Sequence, residues 1–267
     1  RGLGDVYKRQ VYISAKEKTG IEELKSKLVQ VAKTKQEKFI LKDIVNPKDT
    51  VVLVIPIDKA APKGRLILPQ QQVIRELLDI GATAIMTQDD NLENTLANLK
   101  TKPKLIITDS QVFGKVNKIV PQDIELTSFS ILFSRYKGDL KRQVNAVKVL
   151  DTIKDDDKIL IAEGCTHHRQ CDDIGTVKLP NWIKNYTKAN PEFIFTSGTE
   201  FPDDLSKYKL IIHCGGCMLN QAEMQSRLKK AHEQNIPMSN YGTTIAYIHG
   251  ILNRTLHAVS YTHLRAH

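Results

Sequence analysis

Two short bursts of potential metal ligands concentrate the chemistry of this chain: Cys165-x-His167 and Cys214-x-x-Cys217. Thiolate and imidazole are the usual ligands of zinc, and clustered thiolates hold iron–sulfur centres. Each burst follows a short apolar run, Ile-Leu-Ile-Ala at 159–162 and Leu-Ile-Ile at 210–212. Such runs read as buried strands. Parallel strands of one sheet end on a common edge, and open α/β sheets take their ligands there. The two bursts are therefore expected to meet at one site.

Spacing alone leaves three chemistries open. An iron–sulfur centre on three thiolates would leave one iron to another ligand. A structural zinc would need a closed set such as Cys165, Cys171, Cys214 and Cys217. Thiol–disulfide exchange would use Cys214 and Cys217 at the start of the following helix, where the helix dipole lowers a thiol pKa. Gly215 and Gly216 favour a bulky inorganic core, because residues without Cβ let their amides approach sulfide closely. Asp172 and Asp173 are possible oxygen ligands, with a turn or helix-cap acid the plainer role for either. His168 and His213 are expected beside the site or on the surface.

The chain has 267 residues, a length that suits about two domains. No apolar run approaches the roughly 18–20 residues of a membrane span, and no secretory pattern is visible. All four cysteines lie in or beside the two bursts. That crowding, without an export signal, points to reduced thiols and a cytoplasmic location. The formal charge of +9 comes mostly from scattered Lys interleaved with acids. It forms neither an arginine-rich stripe nor an aromatic stacking pattern, so no nucleic acid and no membrane is expected as a partner. Residues 1–10 and 258–267 continue no pattern and are expected to be non-native ends. Arg1, Lys8, Arg9 and Arg265 lie in them, so the basic excess of the remainder is smaller.

Residues 11–13 read as a strand tail. Ser14-Ala15-Lys16 follows, then an amphipathic helix with Ile21, Leu24, Leu28 and Val31 on one face. Between a strand and a helix, Ser14-Ala15-Lys16 looks like the guanine-contacting loop of a Ras-like GTPase domain, with an ordinary turn as the alternative. The phosphate-binding Gly-x-x-x-x-Gly-Lys-Ser/Thr loop and the base-reading Asn-Lys-x-Asp are absent from the sequence, so this chain should not hydrolyse GTP. Beyond a Lys-rich linker, strands are expected at 51–55, 82–86 and 105–107, with helices at 70–78, 92–99, 129–136 and 140–153. A second unit has strands at 159–161, 193–195 and 210–212, with helices at 182–186, 221–233 and near 244–252. Strand–helix alternation implies parallel sheets. The predicted fold class is α/β: two successive three-layer units with mainly parallel sheets, preceded by a remnant strand and helix of a Ras-like GTPase domain.

Three stretches, EGCTHHRQCDDIGTVKLPNW at 163–182, IIHCGGCMLN at 211–220 and IPMSNYGTTIAYIHGIL at 236–252, resemble the [FeFe]-hydrogenase maturation GTPase (HydF) family. Its signature is Cys-x-His, a long gap, then Cys-x-x-Cys; here residues 168–213 fill the gap. The resemblance covers about residues 11–257. It implies a GTPase remnant at 11–38, a dimerisation domain at 40–135 and a cluster-binding domain at 136–257. By resemblance, Cys165, Cys214 and Cys217 hold a [4Fe-4S] cluster, with His167 or Asp172 as an exchangeable fourth ligand. The family is a scaffold that accepts a di-iron precursor, built with two radical-SAM maturases, and passes it to apo-[FeFe]-hydrogenase. It implies a homodimer and, in the intact protein, regulation by GTP, with Ser14, Ala15 and Lys16 as the guanine-loop remnant. Two departures matter. Most GTPase motifs are missing, and Cys171 is an extra thiol that could compete as a ligand. The other readings are a zinc-stabilised binding module and a dithiol oxidoreductase using Cys214 and Cys217.

Overall fold

The computed structural model describes residues 10–32, 38–57, 66–164 and 173–260. The chain divides into two compact units, residues 1–38 and 39–267.

In the first unit, Ser14 and Thr19 close a tight loop through an isolated antiparallel bridge. The helix Ile21–Ala32 follows. Gly20 has a positive φ of 73°, and a Cβ there would overlap the Tyr12 carbonyl oxygen, so the loop closes only on glycine. Residues 11–13 form no strand, since a strand needs a neighbour to accept its backbone hydrogen bonds. Tyr12, Ile13, Leu28 and Val29 are exposed. Leu28 thus leaves the apolar face predicted for the helix.

The second unit contains two four-stranded sheets built to one plan. The first half has β1 (Thr50–Val54), β2 (Thr83–Thr87), β3 (Leu105–Thr108) and β4 (Glu125–Ser128), in the order β2-β1-β3-β4. The second half has β5 (Lys158–Ala162), β6 (Glu192–Thr196), β7 (Leu210–His213) and β8 (Met238–Asn240), in the order β6-β5-β7-β8. Every pairing in both sheets is parallel. The expected α/β architecture with successive parallel-sheet units is therefore the observed one.

Parallel sheets need cover on both faces, and alternate strand residues show where it lies. Leu53, Ile107, Ile161 and Ile212 all belong to one large core cluster. Val52 and Ile106 face a second cluster with Leu92, Val116 and Leu126, while Leu160 and Ile211 face a third with Leu205, Met224 and Leu228. One face of each sheet thus drains into a shared layer. That layer contains side chains of the helices Phe129–Lys137, Leu179–Thr187 and Tyr241–Ile248.

Several boundaries differ from expectation. The helix Phe129–Lys137 runs through the anticipated 135/136 boundary and stops at Gly138, where a Cβ would come within 2.7 Å of the Ser134 carbonyl oxygen. The helix predicted at 140–153 is α-helical over Leu140–Val147 and tightens to a 3₁₀ turn over Lys148–Thr152. Strands β4 and β8 and the helices Phe113–Ile119 and Leu252–Ser260 are additions to the predicted set. The last helix runs past residue 258, and Ala258 and Val259 on it are buried.

That helix belongs in sequence to the second half but packs against β4 of the first. Arg254 fastens it there, donating to Asn117 Oδ1 at 2.6 Å and to the carbonyl oxygens of Val120 at 3.1 Å and Pro121 at 2.6 Å. Arg254→Ala is expected to lower unfolding stability by about 2 kcal/mol, the scale of hydrogen bonds to a charged group. A shifted urea midpoint at unchanged slope would show it.

Candidate metal centre

In the second sheet, β5 and β7 are adjacent, and their register pairs Ala162 with His213. From β5 the chain passes to β6 on one side and then to β7 on the other. The β5/β7 boundary is thus the topological switch point, where the loops leave a crevice at the carboxyl edge. Glu163 and Gly164 leave β5 there, and Cys214 leaves β7. The Cys214 backbone N–H donates to the Ala162 carbonyl oxygen at 2.9 Å, extending the strand pairing to Cys214 itself.

The residue that precedes the first burst is joined to the second here. The Gly164 N–H, immediately before Cys165, donates to Cys214 Sγ at 3.0 Å, and the Gly216 N–H donates to the same sulfur at 3.4 Å. Both glycines are required. A Cβ on Gly164 would come within 2.8 Å of the Leu219 side chain, and Gly216 has a φ of 60°. Gly215 differs: among the described residues, a Cβ there would meet nothing within 4 Å. Packing within the described residues therefore does not demand glycine at 215. A cysteine sulfur that receives two amide hydrogen bonds fits an iron–sulfur core, whose sulfurs are stabilised by such donors.

Lys137 lies beneath the same loop. It is 7% exposed, and its Nζ donates to the carbonyl oxygens of Gly216 at 3.2 Å, Cys217 at 3.1 Å and Leu219 at 2.9 Å. Three ammonium hydrogens meet three acceptors, which satisfies the group. Burial lowers its pKa from the ordinary lysine value, and the charges of Cys217 and Cys214 act in the opposite direction.

Two further arrangements brace the loops. The Tyr241 hydroxyl donates to buried Glu163 Oε1 at 3.1 Å. Burial first, then the charges of Glu163 and Cys214, push this phenol well above its ordinary pKa and keep it a donor. His213 is fully buried, with Nδ1 2.8 Å from the Cys214 carbonyl oxygen and Nε2 3.1 Å from Arg227 Nη1. A carbonyl only accepts and a guanidinium only donates, so the ring is the Nδ1–H tautomer. His213 thereby orients the Cys214 backbone, matching its expected place beside the site.

Of the predicted ligands, Cys214 and Cys217 lie on this loop. Cys165, His167, Asp172, Cys171 and His168 lie outside the described residues. Among the described residues, no group of three or more His, Cys, Asp or Glu side chains could hold a metal ion. Asp173 takes the cap role, accepting from the Thr176 backbone N–H and hydroxyl, each at 2.9 Å, at the start of a π-helical turn. The helix after the cysteines begins only at Gln221, capped by Asn220. Its dipole therefore acts from beyond its first turn, which weakens the thiol-exchange reading. Ser14 accepts from the Glu17 N–H at 3.2 Å in the first unit; Ala15 and Lys16 follow it in the same turn. Lys137, Glu163 and Tyr241 were not singled out from sequence. Glu163 and Tyr241 do fall within the motifs carrying the family resemblance, whereas nothing distinguishes Lys137 from other helix-end lysines.

Residues 40–138 match the family profile described as the hydrogen maturase F dimerization domain. Residues 141–258 match the hydrogen maturase F tetramerization domain. No curated protein matches the chain. Two solved structures show distant likeness. One is a periplasmic ribose ABC transporter from Conexibacter woesei, 10% identical over 72% of this chain and 70% of that one, with a TM-score of 0.26. The other is an ABC domain in complex with L-Trp from Streptococcus pneumonia, 9% identical over 83% and 86%, also with a TM-score of 0.26. Neither likeness carries an argument at that score.

Gly175 tests the brace beneath the site. A Cβ there would overlap both the Tyr241 hydroxyl and Glu163 Oε1. Gly175→Ala is expected to cost about 1–3 kcal/mol, as overpacking does in a filled interior, measured by urea unfolding of the apo protein.

Proposed function

The chain belongs to the hydrogen maturase F family, and from that premise we propose that its second half carries the cluster of a scaffold for [FeFe]-hydrogenase maturation. The hydrogen bond from the Gly164 N–H to Cys214 Sγ carries this reading. It ties the residue preceding the first ligand burst to the second across the switch point. Cys165, Cys214 and Cys217 are the proposed thiolates for a [4Fe-4S] cluster. His167 or Asp172 is the proposed exchangeable ligand of the remaining iron. A nitrogen or oxygen ligand exchanges more readily than thiolate, which suits a carrier that must release cargo.

The cluster would supply an anchoring iron for the di-iron precursor. The chain's own contributions are amides on the Cys214 sulfur and a buried cation under the loop. The proposed donors and acceptor of that precursor are the two radical-SAM maturases and apo-[FeFe]-hydrogenase. Ser14, Ala15 and Lys16 are the proposed remnant of a guanine-contacting loop, with GTP acting in the intact protein. The proposed setting is cytoplasmic; no helix among the described residues is long and apolar enough to cross a membrane.

Self-association is part of the proposal, with the first half pairing two chains. Strand β2 is an edge of its sheet, and Met86 on it and Leu78 on the preceding helix are exposed. An apolar sheet edge is a ready template for another chain. The matched profiles, named for dimerization and tetramerization, support assembly through both halves.

Anaerobic reconstitution should yield about four iron and four acid-labile sulfide per chain, and Cys214→Ser should lose most of both. Zinc without sulfide, or full iron in Cys214→Ser, would sink the cluster reading. Light scattering should give a mass of at least twice 30.1 kDa; a monomer at micromolar concentration would refute pairing.

A further inference from the structure

The last residue of a first-half helix reaches into the ligand loop of the second half. Lys137 ends the helix Phe129–Lys137, and its ammonium gathers the carbonyl oxygens of Gly216, Cys217 and Leu219. The contact is reciprocated. Gln225, on the helix just beyond the loop, donates Nε2 to the Lys137 carbonyl oxygen at 2.7 Å and to that of Gly138 at 3.3 Å. A side chain from each half thus holds the backbone of the other, next to the short Gly138-Asp139 connection between helices.

This clamp orients the loop. In a trans peptide the C=O and the following N–H point in opposite directions. Turning the Gly216 and Cys217 carbonyls onto the amine therefore turns the Cys217 and Met218 N–H groups toward the far side of the loop. The clamp also carries charge. A buried cation near two thiolates is weakly screened, and it favours the more electron-rich state of any redox centre those thiolates hold. A neutral hydrogen-bond donor could supply the first effect but not the second.

We infer that Lys137 is a positioning residue of the cluster site, fixing the Cys214–Cys217 loop and raising the reduction potential of the cluster bound there. The second part rests on the cluster reading proposed above; the first concerns the loop alone.

Two variants separate the roles. Lys137→Met removes donors and charge, whereas Lys137→Gln keeps an amide donor without the charge. In the apo protein, hydrogen exchange of the loop amides at 215–219 should accelerate about tenfold or more in Lys137→Met, as loss of several hydrogen bonds to a charged group requires. Acceleration in Lys137→Gln should be smaller. After reconstitution, a redox titration followed by electron paramagnetic resonance should place the midpoint of Lys137→Gln below that of the parent. Unchanged loop exchange in a folded Lys137→Met overturns the clamp, and an unchanged midpoint in Lys137→Gln overturns the charge effect. If Lys137→Met does not fold, loop exchange in Lys137→Gln faster than in the parent supports the clamp, exchange at the parent rate overturns it, and the midpoint decides the charge. Parent protein without iron and sulfide would refute the cluster reading instead, leaving the clamp to be judged by exchange.

Discussion

Two parallel sheets sharing one apolar layer is the constraint on which this molecule turns. A four-stranded parallel sheet has two faces to cover, and a chain of this size has few helices with which to cover them. Here Leu53 and Ile107 of one sheet and Ile161 and Ile212 of the other belong to the same core cluster, together with Phe129, Ile131, Ile245 and Ala246. The helices Phe129–Lys137 and Tyr241–Ile248 therefore serve both halves. Large apolar burial, at roughly 25 cal/mol per Å², makes that layer the dominant favourable contribution. It also fixes what stands at the carboxyl edge of the second sheet. The first half ends beside the cysteine loop because its helix must first cross the common core.

The candidate centre follows from that placement. Strand pairing continues into the Cys214 N–H, amides from both loops reach the Cys214 sulfur, and a buried ammonium takes the carbonyls on the other side. Donors around a thiolate and acceptors around a cation partition the loop's backbone dipoles into two faces. Buried polar groups of this kind hold their geometry because leaving any one unpaired costs about 1–3 kcal/mol. Glu163 with Tyr241, and His213 with Arg227, apply the same logic one step further out. The result is a loop held from its own half by packing and from the other half by charge.

Legibility in the sequence varied by element for definite reasons. Strands β1, β3, β5 and β7 are central and buried on both faces, so each reads as a continuous apolar run. Strands β4 and β8 are not readable that way. Thr127, Ser128, Ser239 and Asn240 are buried, yet polar. The side chains that end these strands serve local needs: Ser128 caps the helix that follows β4, and Asn240 caps the one after β8. A strand that ends in a helix cap looks like a turn in sequence. The strand expected at 11–13 fails for the opposite reason, because among the described residues this apolar triplet has no neighbouring strand to pair with. Leu252–Ser260 was hidden because its neighbour is a strand from the other half of the chain.

By itself, the sequence determined the alternation of strands and helices, the two ligand bursts at strand ends, and the family signature they compose. These depend on short-range patterns: apolar period, turn residues and ligand spacing. Only the tertiary structure decided which residues surround the cysteines. Lys137 meets Cys217 across 80 positions, Tyr241 meets Glu163 across 78, and Gly164 meets Cys214 across 50. Local propensity does not encode contacts at such separations. They exist because burying both sheets against one layer brings those segments together, and that burial offsets the entropy of closing the long loops between them.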